Sequence, residues 1–271
     1  TNAPSRRLHI LSASEVEALY GRPQFTDEDR SHFFALTAEE LTELSTLHTI
    51  GSRILFILQL GYFKAVQQFF LFKPADVADD VQWIQQTYFA NAQHPIPLAG
   101  RTTRLKQQQI ILQLTGYRLC REPEREQLRL RAAQTVRISS KPLFILRELR
   151  RYLSEQKVVA PGYSVLQGII SVALTAEQER LGASIKVQLS SADTEALLQL
   201  LKNPYGLYEI TRIKREPKDF GETEIRREIE RGEQIATLYD ITQRILPYLN
   251  ISEESVKYYA SLVGYYSVYK L

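Results

Sequence analysis

Apolar residues recur at three- and four-residue spacing along most of the chain, which is the helix period. Between about Ile50 and Phe63, the residues Ile54, Leu55, Leu58 and Tyr62 share one face and predict a buried helix. From Ala75 to Phe89, Val77, Val81, Ile84 and Tyr88 repeat the pattern. Two helix starts carry the reciprocal capping pattern, in which a hydroxyl and an acid three residues later satisfy orphan backbone donors: Ser12 with Glu15, and Thr37 with Glu40. At Ser252 the acid is replaced by Ser255, so that box is incomplete, while Glu253 and Glu254 still suit the positive helix end.

His94, Pro95, Ile96, Pro97 and Gly100 break the pattern, because proline restricts both itself and its predecessor. Beyond the break, helices are predicted over roughly 102–115, 122–136, 142–156 and 163–180, then Ser190 to Lys202 and Glu222 to Tyr248, with Pro247 near the last end. Pro204 to Arg215 alternates weakly and reads as a short strand or an extended connector. The expected fold is all-α, a multi-module helical array with helix-turn-helix-like units. Its segments are 1–98, a first helical module; 99–185, a second, basic one; and 186–271, a helical connector.

Composition narrows this further. At 271 residues with 44% hydrophobic and 24% charged side chains, the chain can bury a core, so global disorder is excluded. A single cysteine, Cys120, cannot form an internal disulfide, and with four scattered histidines it supplies no Cys/His metal cluster; a reducing cytoplasm is the expected location. No window approaches the roughly 18 apolar residues of a spanning helix, and no apolar signal segment opens the chain. The chain begins at Thr1 and lacks methionine, so it is expected to be a piece of a longer protein.

Charge is unevenly spread. Residues 1–98 hold 7 basic and 11 acidic side chains, residues 99–160 hold 14 and 5, and residues 161–271 hold 13 and 15. A basic block inside an otherwise acidic chain points to a polyanion partner, or to a solvated helix face pairing with acidic neighbours.

Catalytic patterns fail. There is no phosphate-binding glycine loop, dinucleotide fingerprint, nucleophile elbow or zinc helix. His9, His32, His48 and His94 share no spacing, and Cys120 beside Arg121 reads as an inert helix-end thiol. Asp76, Asp79 and Asp80, like Glu222 and Glu224, read as acids complementing helix dipoles. Tyr258, Tyr259, Tyr265, Tyr266 and Tyr269 read as a packing face.

The informative run is K-P-L-F-I-L-R-E-L-R-R-Y-L-S-E-Q-K-V-V-A-P-G-Y-S-V-L-Q-G-I-I. Leu143, Leu146, Leu149 and Leu153 form an inward stripe, and Arg147, Arg150 and Arg151 project away from it. A turn at Val158 to Gly162 leads to a second helix capped by Tyr163 or Ser164. Helix, turn and second helix is the arrangement of helix-turn-helix DNA readers, and also of ordinary helical hairpins. Upstream, Arg101, Arg104 and Lys106 precede Gln107, Gln108 and Gln109, a second basic surface whose glutamines could read adenine edges or simply face solvent.

At these residues the sequence resembles the N-terminal DNA-binding region of the Tn-three family of bacterial replicative transposases. The resemblance rests on L-T-A-E-E-L with G-S-R-I-L-F-I-L-Q-L-G-Y-F, then R-T-T-R-L-K-Q-Q-Q-I-I-L-Q-L-T-G-Y-R, then R-E-L-R-R-Y-L-S-E-Q-K-V-V-A-P-G-Y-S-V-L. It implies helical modules that bind the transposon's terminal inverted repeats. The implied catalytic domain, a carboxylate-triad fold using divalent magnesium, lies further along the family's chain, so this stretch is expected to bind DNA without cutting it and to need no cofactor. Implied partners are double-stranded transposon-end DNA and, for the full-length protein, a second copy, with no membrane; the implied location is the nucleoid of a bacterial cytoplasm. The candidate phosphate contacts are Arg101, Arg104, Lys106, Arg118, Lys141, Arg147, Arg150, Arg151 and Lys157, with Arg53 a further one in the first module. Ser164 and Gln167 are the base-reading candidates. The alternative is a helical interaction or scaffold fragment without specific DNA recognition.

Overall fold

The structure, a computed structural model, describes residues 8–90, 100–202, 208–214 and 216–265. Among these the chain is an all-helical multi-module array of thirteen α-helices. They are α1 (Ala13–Tyr20), α2 (Asp27–Phe33), α3 (Ala38–Ser45), α4 (Ile50–Val66), α5 (Ala78–Tyr88), α6 (Arg101–Thr115) and α7 (Glu122–Ile138). α8 (Pro142–Glu155), α9 (Tyr163–Gln188), α10 (Ser191–Gln199), α11 (Glu209–Ile213), α12 (Glu222–Ile245) and α13 (Glu253–Tyr265) follow. Two strands of two residues each, β1 (Arg118–Leu119) and β2 (Val158–Val159), pair in parallel.

Several expectations are corrected. α9 runs eight residues past its expected end at 180, because no breaker intervenes before Leu189 and Ser190 and the internal Gly182 is tolerated. The weakly alternating stretch is the short helix α11 over its described part; residues 203–207 and 215, the break at His94 to Pro97, and Tyr266 and Tyr269 lie outside the described residues. Ala75 to Phe89 divides into a 3₁₀ turn at Pro74–Val77 and α5, since proline at the first turn favours the tighter start. The turn predicted at Val158 contains β2, which is too short to leave a period-two signal.

The chain divides into two packing units, Thr1–Leu128 with Arg147–Gly168, and Arg129–Leu146 with Ile169–Leu271. In the first, α4 is buried on every side from Ile54 to Phe63, not on one face, because α2, α5 and α6 all pack against it. A Cβ at Gly61 would sit 2.3 Å from the Phe34 ring, so glycine is what permits this close approach. Polar pins accompany the aromatic core. Gln59 Nε2 donates to Gln107 Oε1 at 2.9 Å, and Gln107 Nε2 donates to the Ser52 carbonyl at 2.7 Å, which fixes α6 on α4.

Asp80 departs from its expected role. Asp76 and Asp79 are exposed, but Asp80 is buried, accepting from Arg30 Nε at 2.8 Å and from the Tyr62 hydroxyl. Arg22 Nη1 donates to the Tyr62 oxygen at 2.6 Å. Burial, together with the hydrogen bond to Asp80, pushes the Tyr62 phenol well above its usual range.

In the second unit, buried Glu177 accepts from Arg180 at 2.6 Å and from Arg137 at 3.1 Å, and Arg180 Nη1 also donates to the Leu249 carbonyl at 3.0 Å. The incomplete box at Ser252 still caps α13: Ser255 N donates to Ser252 Oγ at 3.1 Å, and Ser255 Oγ accepts from Ser140 N at 3.0 Å. Arg244 and Ser190 hold the Asp193 carboxyl well below the usual carboxylate range. On α12 only Ile241 and Ile245 are buried; ion pairs such as Arg226 with Glu222 and Arg227 with Glu224 line its N-terminal half.

Candidate nucleic-acid interface

The candidate cations form separate groups. α6 carries Arg101, Arg104 and Lys106 in its first two turns, with no acid in the first turn. Cations at a positive helix end are unfavourable by a few tenths of a kcal/mol, roughly, so helix stability does not account for them. Arg101 and Lys106 are exposed and Arg104 half-buried, and none of the three has an ion pair among the described residues. The glutamines beside them diverge: Gln107 is spent in the core, Gln108 is half-buried and Gln109 exposed.

α8 carries the second group. Ile145, Leu146, Leu149 and Leu153 are its buried face; Leu143, expected inward, is 36% exposed because it sits in the first turn on the solvent side. Arg147 and Arg151 are exposed. Arg151 pairs with Glu148 and with Glu155, each at 2.8 Å, whereas Arg147 forms no ion pair among the described residues. Arg150 does not project away as expected: its guanidinium lies over the Tyr20 ring at 5.6 Å to the centroid.

A third group meets where β1 and β2 pair. α6 and α8 each end on a left-handed residue, Gly116 with φ 70° and Lys157 with φ 50°. Arg118 N donates to the Lys157 carbonyl at 2.9 Å, and Arg118 Nη1 to the Gln156 carbonyl at 3.0 Å. Arg118 Nε also pairs with Glu124 at 3.2 Å. Lys157 Nζ reaches the Thr115 carbonyl at 3.5 Å. Lys141 is paired with Glu254 at 3.2 Å, and Arg53 Nε donates to the Leu47 carbonyl at 2.8 Å.

α9 begins at Tyr163. Ser164 is exposed on its first turn, while Gln167 is half-buried and its Nε2 donates to the Leu8 carbonyl. Residues 156–162 connect α8 to α9, longer than the roughly three- to four-residue turn of a helix-turn-helix pair. Sequence reasoning did not count Arg121, an exposed cation just before α7, among the contacts, and it missed Tyr20 and any role for Tyr163 beyond a helix cap. Arg121 was visible in the charge count; the tyrosines meet across more than a hundred residues, and no local signal marks them.

Burial pushes the Cys120 thiol up, so Arg121 does not activate it. Among the described residues no group of three or more His, Cys, Asp or Glu side chains could hold a metal ion, and no catalytic triad is seen. No helix among them is long and apolar enough to cross a membrane.

No curated protein matches the chain. Residues 10–173 match the profile of a family described as a domain of unknown function, DUF4158, which occurs as the N-terminal region of Tn-three family transposases. The match spans α1 to the middle of α9 and takes in the whole basic segment, over half of the sequence. The chain belongs to the DUF4158 family.

Proposed function

We propose that this chain binds double-stranded DNA at transposon terminal inverted repeats, as the N-terminal part of a transposase acting at the bacterial nucleoid. The observation that carries the reading is a set of cations on α6 and α8, Arg101, Arg104, Lys106 and Arg147, left without ion pairs among the described residues and lying inside the DUF4158 match. Charges kept in water beside a folded core are available to phosphates, which give affinity and register. Arg118, Arg150, Arg151, Lys141, Lys157 and Arg53 take a smaller share, since each already has a partner in the fold. α9 is the candidate reading helix, with Ser164 exposed and Gln167 Nε2 already donating one hydrogen bond to the Leu8 carbonyl.

The test is titration of a labelled terminal-repeat duplex against a scrambled one at several salt concentrations. With about six phosphates neutralised, the log-log salt slope is near −5. Equal affinity for both duplexes sinks terminal-repeat recognition. Arg147→Ala, Arg150→Ala and Arg151→Ala together are expected to lower affinity while helicity by circular dichroism is retained.

A second reading, helix-mediated protein interaction, is favoured for residues 186–271 by the exposed apolar residues of α12, among them Ile225 at 50%, Ile229 at 59% and Tyr239 at 62%. Absence of duplex binding by the unmodified chain would favour it.

A further inference from the structure

On α12 the apolar positions repeat at the coiled-coil period. Ile225, Ile229, Gly232, Ala236 and Tyr239 follow one another at alternating steps of four and three residues, so at about 100° per residue they share one stripe of the helix. All five are exposed, and a Cβ at Gly232 would meet nothing within 4 Å. The helix packs on its own chain through a different side: buried Ile241 and Ile245 and half-buried Leu238 lie about 160° to 220° around the axis from Ile225. The exposed stripe is therefore not what fastens α12 to its fold.

The charges beside the stripe select an occupant. In an antiparallel pair of α12 helices with its two-fold axis beside Gln234, Ile225 meets Gln243 of the second copy, Ile229 meets Tyr239 and Gly232 meets Ala236, each twice. Small residues then meet at the middle, where they let the backbones approach, and the bulky pairs lie on either side. One flank of the stripe carries Arg226, Glu233 and Asp240. In this register Arg226 faces Asp240 of the second copy at both ends, against a single facing pair of Glu233 at the axis, while Ile235 meets Ile235 on the other flank. A parallel pair reverses the balance, setting Glu228 beside Glu233 of the second copy twice and bringing no opposite charges together. Arg226 is paired with Glu222 along its own helix, but that pair is exposed and of little energetic weight, so a second carboxylate can share the guanidinium.

We infer that α12 pairs with α12 of a second copy of this chain as a short antiparallel coiled coil. The inference rests on the reading of residues 186–271 as an interaction segment and names its partner. With 24 residues the seam is about 36 Å long. Two helices touching along it bury an area near the lower limit of stable interfaces, so the expected dissociation constant is on the order of 10 µM.

The experiment is sedimentation of the full chain over roughly 1 to 200 µM, where a monomer–dimer equilibrium is expected. Ile225→Gln with Ile229→Gln, checked by circular dichroism for intact helicity, is expected to raise the dissociation constant about a hundredfold. Arg226→Asp alone and Asp240→Arg alone are each expected to weaken association several-fold, and the two together in one chain to restore it. These positions lie about 21 Å apart along the helix, out of reach of each other within one chain, so the rescue requires an antiparallel second copy. A chain that stays monomeric across the range overturns the second copy and leaves the stripe to a different partner. A dimer unaffected by the isoleucine substitutions overturns α12 as the surface, and with it the interaction reading of this segment. A dimer weakened by those substitutions but not rescued by the charge exchange overturns the antiparallel register.

Discussion

Arginines in two regions of the molecule have opposite fates. Around α4, Arg22 and Arg30 turn inward onto Tyr62 and buried Asp80 and complete the core. In the basic segment, Arg101, Lys106 and Arg147 are exposed and have no ion pairs among the described residues. The side chain is similar in both places; the acids within reach differ. Residues 1–98 carry more acids than bases, so a base there can find a buried carboxylate, whereas residues 99–160 have too few acids to neutralise their cations. A surplus that the fold does not absorb remains for an outside anion.

Three variants test that contrast, beginning with the largest expected effect. Asp80→Asn removes the charge that Arg30 and Arg22 face, and breaking a buried pair on one side leaves the other charge uncompensated. The expected cost is about 3 kcal/mol of stability, read as a lower urea midpoint with little change in DNA affinity at temperatures where the variant stays folded. A variant as stable as the parent would show the inward arginines to be incidental.

Next, Arg101→Ala, Arg104→Ala and Lys106→Ala together should leave the melting temperature nearly unchanged, since none of the three is ion-paired among the described residues. Duplex affinity at 0.1 M salt should fall about 50-fold or more, with the salt slope shallower by about 2.7. Loss of stability with unchanged DNA affinity would move α6 into the class of Arg30.

The smallest effect is a gain. Glu148→Gln with Glu155→Gln releases Arg151 from both of its partners and removes two negative charges from α8. Binding should tighten about two- to fivefold at low salt, and the gain should fade as salt rises. Weaker binding would mean that the acids hold Arg151 in a productive pose.

Much of the scaffold was legible from local chemistry. The capping boxes at Ser12 and Thr37 form as written, with the acid of each accepting from the cap backbone, because every group involved lies within three residues. Comparable boxes at Thr26–Asp29 and Ser190–Asp193 carried the same signal with Asp in place of Glu. Periodicity placed α4 correctly but understated its burial, since a one-face stripe cannot show how many helices will surround it. The candidate site was legible as charge and not as geometry. Arg147, Arg150 and Arg151 are near neighbours on one helix, yet one has no ion pair among the described residues, one lies over an aromatic ring 130 residues away and one is clamped by two acids.

By itself, the sequence determined the helical class, most helix starts and the position of the basic segment, all of which depend on residues within a turn or two of each other or on simple charge balance. Tertiary structure alone decided which polar groups are consumed by the fold: Gln107 in the core, Gln167 on the Leu8 carbonyl, Asp80 between two arginines. Those outcomes are set by partners 48 to 159 residues distant. Short-range pattern cannot encode them, because a side chain's availability depends on which distant donors and acceptors the packed core brings within hydrogen-bond reach.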